Sequence, residues 1–221
     1  SDNAEALIQY GHISDWDVSL ITDMSSLFYF KQTFNDDISG WDVSNVTSMH
    51  YMFYQTDSFN QDLSDWDVSS VTTMDGMFYN ALSFNQDLND WDVSNVTNMK
   101  HMFNGATSFD GNITNWDVSN VSNMQEMLRN TAFNRDLSSW DVSNSSNIRE
   151  MFKYASSFNQ DLSTWDVSNV TSMRETFNGA TSFNGNISNW DVSSVGDMRW
   201  MFINALNFNQ DLSTWDVSNV T

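Results

Sequence analysis

The sequence predicts an α/β repeat fold: a leucine-rich-repeat-like solenoid of nine 24–25-residue units, each with one short parallel strand and one short helix. Three observations carry this expectation. The motif W-D-V-S occurs nine times, with Trp at 16, 41, 66, 91, 116, 140, 165, 190 and 215, so one register runs through all 221 residues. Two apolar periodicities alternate inside each unit. Pro is absent over the whole chain, which fits one module copied many times. A period of this size means an array, because a single unit cannot bury its own apolar face. It also excludes a propeller, whose four-stranded blades need roughly 40–45 residues each.

The elements follow in order. The chain opens on Ala4-Glu5-Ala6-Leu7-Ile8-Gln9-Tyr10 where later units carry F-N-Q-D, so residues 1–12 are expected to form a helical cap over the open end of the core. Residues 13–221 are then tandem repeats of a single domain, broken off within the last unit, as in a fragment of a longer protein. In the strand segment, Leu63, Trp66, Val68 and Val71 are apolar. Trp66 and Val68 share the inward face, and Asp67 between them points out. In the helix segment, Val71, Met74, Met77, Phe78 and Ala81 fall within one arc of about 120° at helical spacing, and Ser69 or Ser70 is placed to cap the first turn. The step from Trp116 to Trp140 is one residue short because Leu128 to Phe133 is shortened, and the register recovers at Trp140. Stacking turns each apolar position into a row of Phe, Trp or Met, the last an adaptable filler.

The full repeat, F-N-Q-D-L-S-x-W-D-V-S-N-V-T-x-M-x-x-M-F, resembles the BspA-like leucine-rich-repeat surface proteins, a bacterial 26-residue-repeat group of undefined function. The resemblance runs from Ile13 to Thr221 and implies a curved, right-handed solenoid, displayed on a cell surface or secreted, that binds or adheres. It implies no catalytic residue and no defined ligand.

Composition narrows the function. Against 8 Lys and Arg stand 29 Asp and Glu, a net charge of −21. Nucleic-acid binding and docking on anionic lipid both need the opposite sign. No apolar run is long enough for membrane insertion. With no Cys there is no disulfide, thiolate ligand or Cys nucleophile. His12, His50 and His101 are singletons, and the abundant Asp and Ser recur in every unit, whereas an active site needs one singular constellation. The sequence therefore points to no enzyme and no cofactor.

The informative surface is the outward row of aspartates between Trp and Val. Candidate ligand-binding residues are Asp65, Asp67, Asp90, Asp92, Asn115, Asp117, Asp141 and Asp166. Carboxylates on adjacent parallel strands, about 4.8 Å apart, repel by roughly 1 kcal/mol even in water, so the row needs compensation. Three sources are open: hydrogen bonds from the Ser two residues on, calcium ions, or a cationic partner. The position before Trp changes from acidic (Asp65, Asp90) to neutral (Asn115, Ser139, Thr164), a gradient a partner could read. A candidate secondary docking stripe runs along the helix side through Lys100, Arg149, Arg174, Arg199 and Trp200, flanked by Glu126, Glu150 and Glu175. Trp200 is expected to be exposed, and a salt-bridge lattice between units is the plainer use of the charges. The expected partner is a protein or glycan on another cell or matrix, with end-to-end self-association through Trp215–Val217 as a further expectation. A structural stalk without a ligand and a calcium-dependent assembly are the alternatives. There are eight N-x-S/T sites, and those at the repeated helix start, such as Asn45-Val46-Thr47, read as by-products of capping.

Overall fold

The computed structural model describes the backbone of residues 3–221 and the side chains of residues 7–221. An α-helix, α1, spans Asn3–Tyr10, and a single 3-10 turn follows at Ile13–Asp15. Beyond these, the described residues contain no helix, and their sheet character is a line of isolated parallel bridges running from Asp23↔Ser48 through Thr73↔Asn98 to Ser172↔Asp197.

The short helix expected in each unit is therefore corrected: the segment is a run of consecutive turns. From Met74 to Ala81 alternate amides leave the unit. The N–H groups of Met74, Gly76, Phe78 and Asn80 donate to the carbonyls of Asn98, Lys100, Met102 and Asn104 at 2.7–3.0 Å. The amides between them close turns inside the unit, Met77 to Met74, Tyr79 to Gly76 and Ala81 to Phe78, at 3.0–3.1 Å. An α-helix would use all these amides internally and leave the neighbouring unit without donors. The alternation needs two positive-φ residues per unit, four apart: Tyr51 and Gln55, Gly76 and Asn80, Glu126 and Asn130, Trp200 and Asn204. The second of these columns is Asn or Gly at Asn80, Gly105, Asn130, Gly179 and Asn204, the residues that adopt left-handed backbone at least cost.

The expected strand is also displaced. Parallel pairing lies seven residues after each Trp, at Ser48, Thr73 and Asn98, and not across W-D-V. The in–out alternation of W-D-V is nevertheless present: Trp66 and Val68 are 3% and 1% exposed, and Asp67 lies on the surface. Buried indoles answer a specific need. Trp91 and Trp116 donate their Nε1–H to the carbonyls of Leu63 and Leu88 at 2.8 and 2.7 Å, and the same bond recurs from Trp41 to Trp215. Another apolar residue would keep the burial but lose this bond to the preceding unit, leaving the Leu63 and Leu88 carbonyls only the amides of Trp66 and Trp91 at 3.1 Å. Phe rings stack beside them, Phe78 on Phe84 at 3.9 Å and on Phe103 at 5.5 Å.

The F-N-Q corner is a side-chain ladder. Asn60 Oδ1 accepts from the Asn85 amide at 2.9 Å, and Gln86 donates to the Asn60 carbonyl at the same distance. Where Gly111 and Gly185 replace Gln, a Cβ would lie 2.1 and 1.9 Å from the carbonyl oxygens of Gln86 and Gln160. At the N-terminal end Trp16 is 44% exposed, and a cavity of about 870 Å³ lies between α1 and the first units, bordered by Leu7, Trp16, Phe28 and Phe34.

Candidate functional site

The aspartate row sits on a corner of each unit. Its geometry is an Asx turn, in which a short carboxylate accepts from the amide two residues on. The amides of Ser69, Ser94, Ser119, Ser143 and Ser168 donate to Oδ1 of Asp67, Asp92, Asp117, Asp141 and Asp166 at 3.0 Å. Hydroxyls add to it at Asp42, Asp67 and Asp191, at 2.6, 2.6 and 2.7 Å. These bonds, the hydroxyl first and the amide second, hold the carboxyls of Asp42 and Asp191 below the usual aspartate range. The other oxygen, Oδ2, of these aspartates accepts no hydrogen bond among the described residues, so half of each carboxylate builds the corner and half faces water.

Beside this row, the Asn and Thr side chains of the N-x-T sites bind neighbouring units. Asn95 Nδ2 donates to the Ser69 carbonyl at 2.8 Å, and Thr97 Oγ1 to the Thr72 carbonyl at 3.3 Å. Since no helix begins there, these side chains clamp units and cap nothing. The position before Trp divides in two. Ser139, Thr164 and Thr214 donate to carbonyls of the preceding unit at 2.6–2.7 Å. Asp65 and Asp90 have no proton to donate and stand exposed, as does Asn115.

On the turn side, the candidate docking stripe is woven into ion pairs. Arg149 and Arg174 lie 3.0 and 3.3 Å from the adjacent Glu150 and Glu175 of their own units. Arg199 pairs with Asp197 at 2.8 Å. Trp200 is 51% exposed, and the Arg174 guanidinium lies over its ring at 4.8 Å. Lys100 donates no side-chain bond among the described residues; its amide closes an Asx turn on Asn98.

Two cations that the sequence reading did not single out join the units. Arg129 bridges Glu126 at 2.8 Å and Glu150 at 3.1 Å. Lys153 reaches Glu150 at 3.1 Å and also contacts Glu175. Burial opposes charge on Lys153, but the two carboxylates outweigh it and push the ammonium up. Burial likewise raises Glu175, and Lys153, with Asn178 and Arg174, more than reverses it. Among the described residues, no group of three or more His, Asp or Glu side chains is placed to hold a metal ion.

A family model described as "Mycoplasma protein of unknown function, DUF285" matches residues 2–103, 86–174 and 160–221. The chain belongs to this family. The three overlapping matches make it a tandem-repeat DUF285 protein, and no curated protein matches it. In this DUF285 chain the turn-side surface begins not with charge but with aromatic rings. Tyr54 stacks between Tyr29 and Tyr79 at 4.7 Å on either side, with Tyr51 edge-on at 5.1 Å. Columns of Tyr at 29, 54 and 79 were visible in the sequence, spaced by the repeat itself. No helix of the described residues is long and apolar enough to cross a membrane.

Proposed function

We propose that the chain is a non-enzymatic binding module built as a right-handed, leucine-rich-repeat-like solenoid of the BspA-like kind, displayed at a cell surface or secreted. It engages a protein or glycan partner carrying cationic groups through the corner carboxylates Asp67, Asp92, Asp117, Asp141 and Asp166. Asp65 and Asp90 set the acidic end of that surface, and Asn115 begins its neutral part. The observation that supports this reading is the divided carboxylate. Oδ1 is committed to the turn and fixes the side chain, while Oδ2 of these exposed aspartates accepts no hydrogen bond among the described residues. Such preorganised acceptors favour a repetitive cationic partner because little side-chain entropy is lost on docking.

The test is a triple substitution, Asp92→Asn, Asp117→Asn and Asp141→Asn. Asn retains Oδ1 as an acceptor, as Asn112 and Asn186 already do for the amides of Thr114 and Ser188 at 3.1 Å. A screen on glycan and protein arrays identifies a bound partner. The variant is then expected to melt as the parent does and to bind that partner at least tenfold more weakly. Undiminished binding overturns the assignment, and a parent protein that binds nothing on such arrays favours a passive stalk.

A further inference from the structure

The aromatic and the ion-paired stretches of the turn side meet at His101. Its Nδ1 lies 3.5 Å from Asp75 Oδ1 in the preceding unit, and its Nε2 lies 3.4 Å from Glu126 Oε1 in the following unit. The imidazole is only 17% exposed, and the flanking carboxylate side chains are 16% and 12% exposed. Asp75 Oδ1 and His101 Nδ1 are themselves shut off from solvent, and neither has a hydrogen-bond partner other than the long approach to each other. Asp75 in turn faces a second imidazole, with His50 Nδ1 at 3.8 Å from its Oδ2. The four groups, His50, Asp75, His101 and Glu126, come from four successive units.

We propose that His101 is a proton-operated clasp between the units before and after it, closed when the imidazole is charged and loosened when it is neutral. The charged ring donates from both nitrogens, one to each carboxylate. The neutral ring keeps one N–H, and its other nitrogen then presents a lone pair to a carboxylate in a site closed to water, where an unpaired polar group is costly. All the charged and titratable groups around the ring enter this balance. Asp75 and Glu126 favour its charge, Lys100 beside it in sequence opposes it, and Tyr79 meets it edge-on at 6.0 Å. Behind Asp75 stand His50 and Tyr51, and behind Glu126 stands Arg129 at 2.8 Å. Burial lowers the imidazole, but the two carboxylates outweigh it and the net direction is upward.

The sign of the coupling follows. A group whose folded pKa is raised contributes stability that is fully present below its unfolded value and is lost as pH rises through the folded value. The clasp therefore tightens toward mild acid and slackens toward alkaline pH, opposite in sense to the carboxylate pairs around it. Opening it frees the seam at which Gly76 donates to the Lys100 carbonyl and His101 donates to the Gln125 carbonyl, both at 2.8 Å.

An NMR titration of the three imidazoles in the intact chain tests the clasp, with the urea-unfolded chain as reference. His101 is expected to titrate above its unfolded counterpart, and Asp75→Asn and Glu126→Gln are each expected to lower its midpoint. Hydrogen exchange of the Gly76 and His101 amides, corrected for intrinsic rates, is expected to lose protection between pH 6 and pH 9, while the amides of Phe152 and Phe177 do not. A His101 midpoint at or below the unfolded one overturns the proposal, as does a midpoint that neither substitution moves. Stability of the His101→Gln variant adds a second reading. The parent's advantage over it is expected to shrink from pH 5.5 to pH 8.5, and an advantage equal at both pH values also overturns the clasp.

Discussion

Tyr51 and Tyr54 occupy the same places in their unit that Glu150 and Lys153 occupy in theirs, yet the backbone beneath them is the same. Tyr51 has φ 54° and Glu150 φ 57°, and both amides reach the next unit at 2.9 Å, to Asp75 and Arg174. One pair lies within a stack of rings, the other within a chain of ion pairs. The difference teaches that the turn path is set from inside, by the buried Met, Phe and Trp rows and the amides that leave each unit, and that the side chains above it are free to differ. It also divides the surface into an aromatic stretch, Tyr29 to Tyr79, and a charged stretch, Glu126 to Arg174, whose responses to pH and substitution should be unlike.

The largest effect is expected below the surface. Phe103 is fully buried between Phe78 and Phe109, at 5.5 and 3.8 Å. Phe103→Ala removes a ring from both neighbouring units and should cost about 3–5 kcal/mol in urea unfolding. If the interior sets the path, this loss should open the aromatic and the charged stretch together, seen as a single cooperative transition by tyrosine fluorescence and by amide exchange. Separate transitions would show that the stretches hold themselves.

At the surface the two stretches should diverge. Lys153→Met leaves Glu150 and Glu175 facing each other with side chains only 6% and 8% exposed. Removing one partner of a deeply buried pair costs more than the pair contributes. Here Glu150 keeps Arg129 and Arg149 and Glu175 keeps Arg174, so a smaller loss of about 2 kcal/mol is expected by the same unfolding measurement. Tyr54→Met, which keeps apolar bulk and gives up ring stacking, should cost about 1 kcal/mol. Equal losses would remove the energetic distinction between the stretches.

Acid separates them further. Glu126 is held well below the ordinary glutamate value and Glu175 is also held below it; burial pushes each up, but His101 with Gln125 and Arg129 outweighs it at Glu126, and Lys153 with Asn178 and Arg174 outweighs it at Glu175. Groups with a depressed folded pKa contribute stability that is present above the unfolded value and is lost as pH falls through the folded one. Lowering the pH from 6 to 3 should therefore strip exchange protection from amides around Arg129 and Lys153 before those around Tyr54. The reverse order would contradict the charge lattice.

Much of this was legible in the repeat. Which side chains are buried follows from apolar spacing, and Trp66, Val68, Met74, Met77 and Phe78 are all inside. The expected helix is absent because apolar residues at i, i+3, i+4 and i+7 suit a ladder of consecutive turns as well as a helix. The signal that separates the two is the column from Asn80 to Asn204, Asn or Gly at every unit but that of Tyr154, whose left-handed backbone no helix tolerates. The candidate site was half legible. D-x-S is an Asx-turn signature that any corner can carry, but which carboxylate oxygen remains free depends on side-chain torsion. Arg129 and Lys153 share one column of the repeat, but it is cationic in only those two units and holds Tyr or Asn in others, and each cation acts across units by pairing with an acid of its own unit and another of the next.

The smallest expected effect bears on whether the corner row is built by charge or by shape. Asp117 accepts from the Ser119 amide at 3.0 Å through one oxygen, and an Asn there can accept in the same way. Asp117→Asn should change stability by less than about 0.5 kcal/mol, because the turn needs an acceptor and not an anion. Asp117→Ala removes the acceptor and should cost about 1 kcal/mol, the usual cost of losing a side-chain cap on a backbone amide. Parallel thermal melts of the two variants decide it. If Asn is as damaging as Ala, the negative charge itself belongs to the scaffold, and the carboxylate row is no longer free to serve a partner. If only Ala is damaging, an uncharged acceptor suffices for the corner at Asp117, and its anionic charge is left without a structural role there.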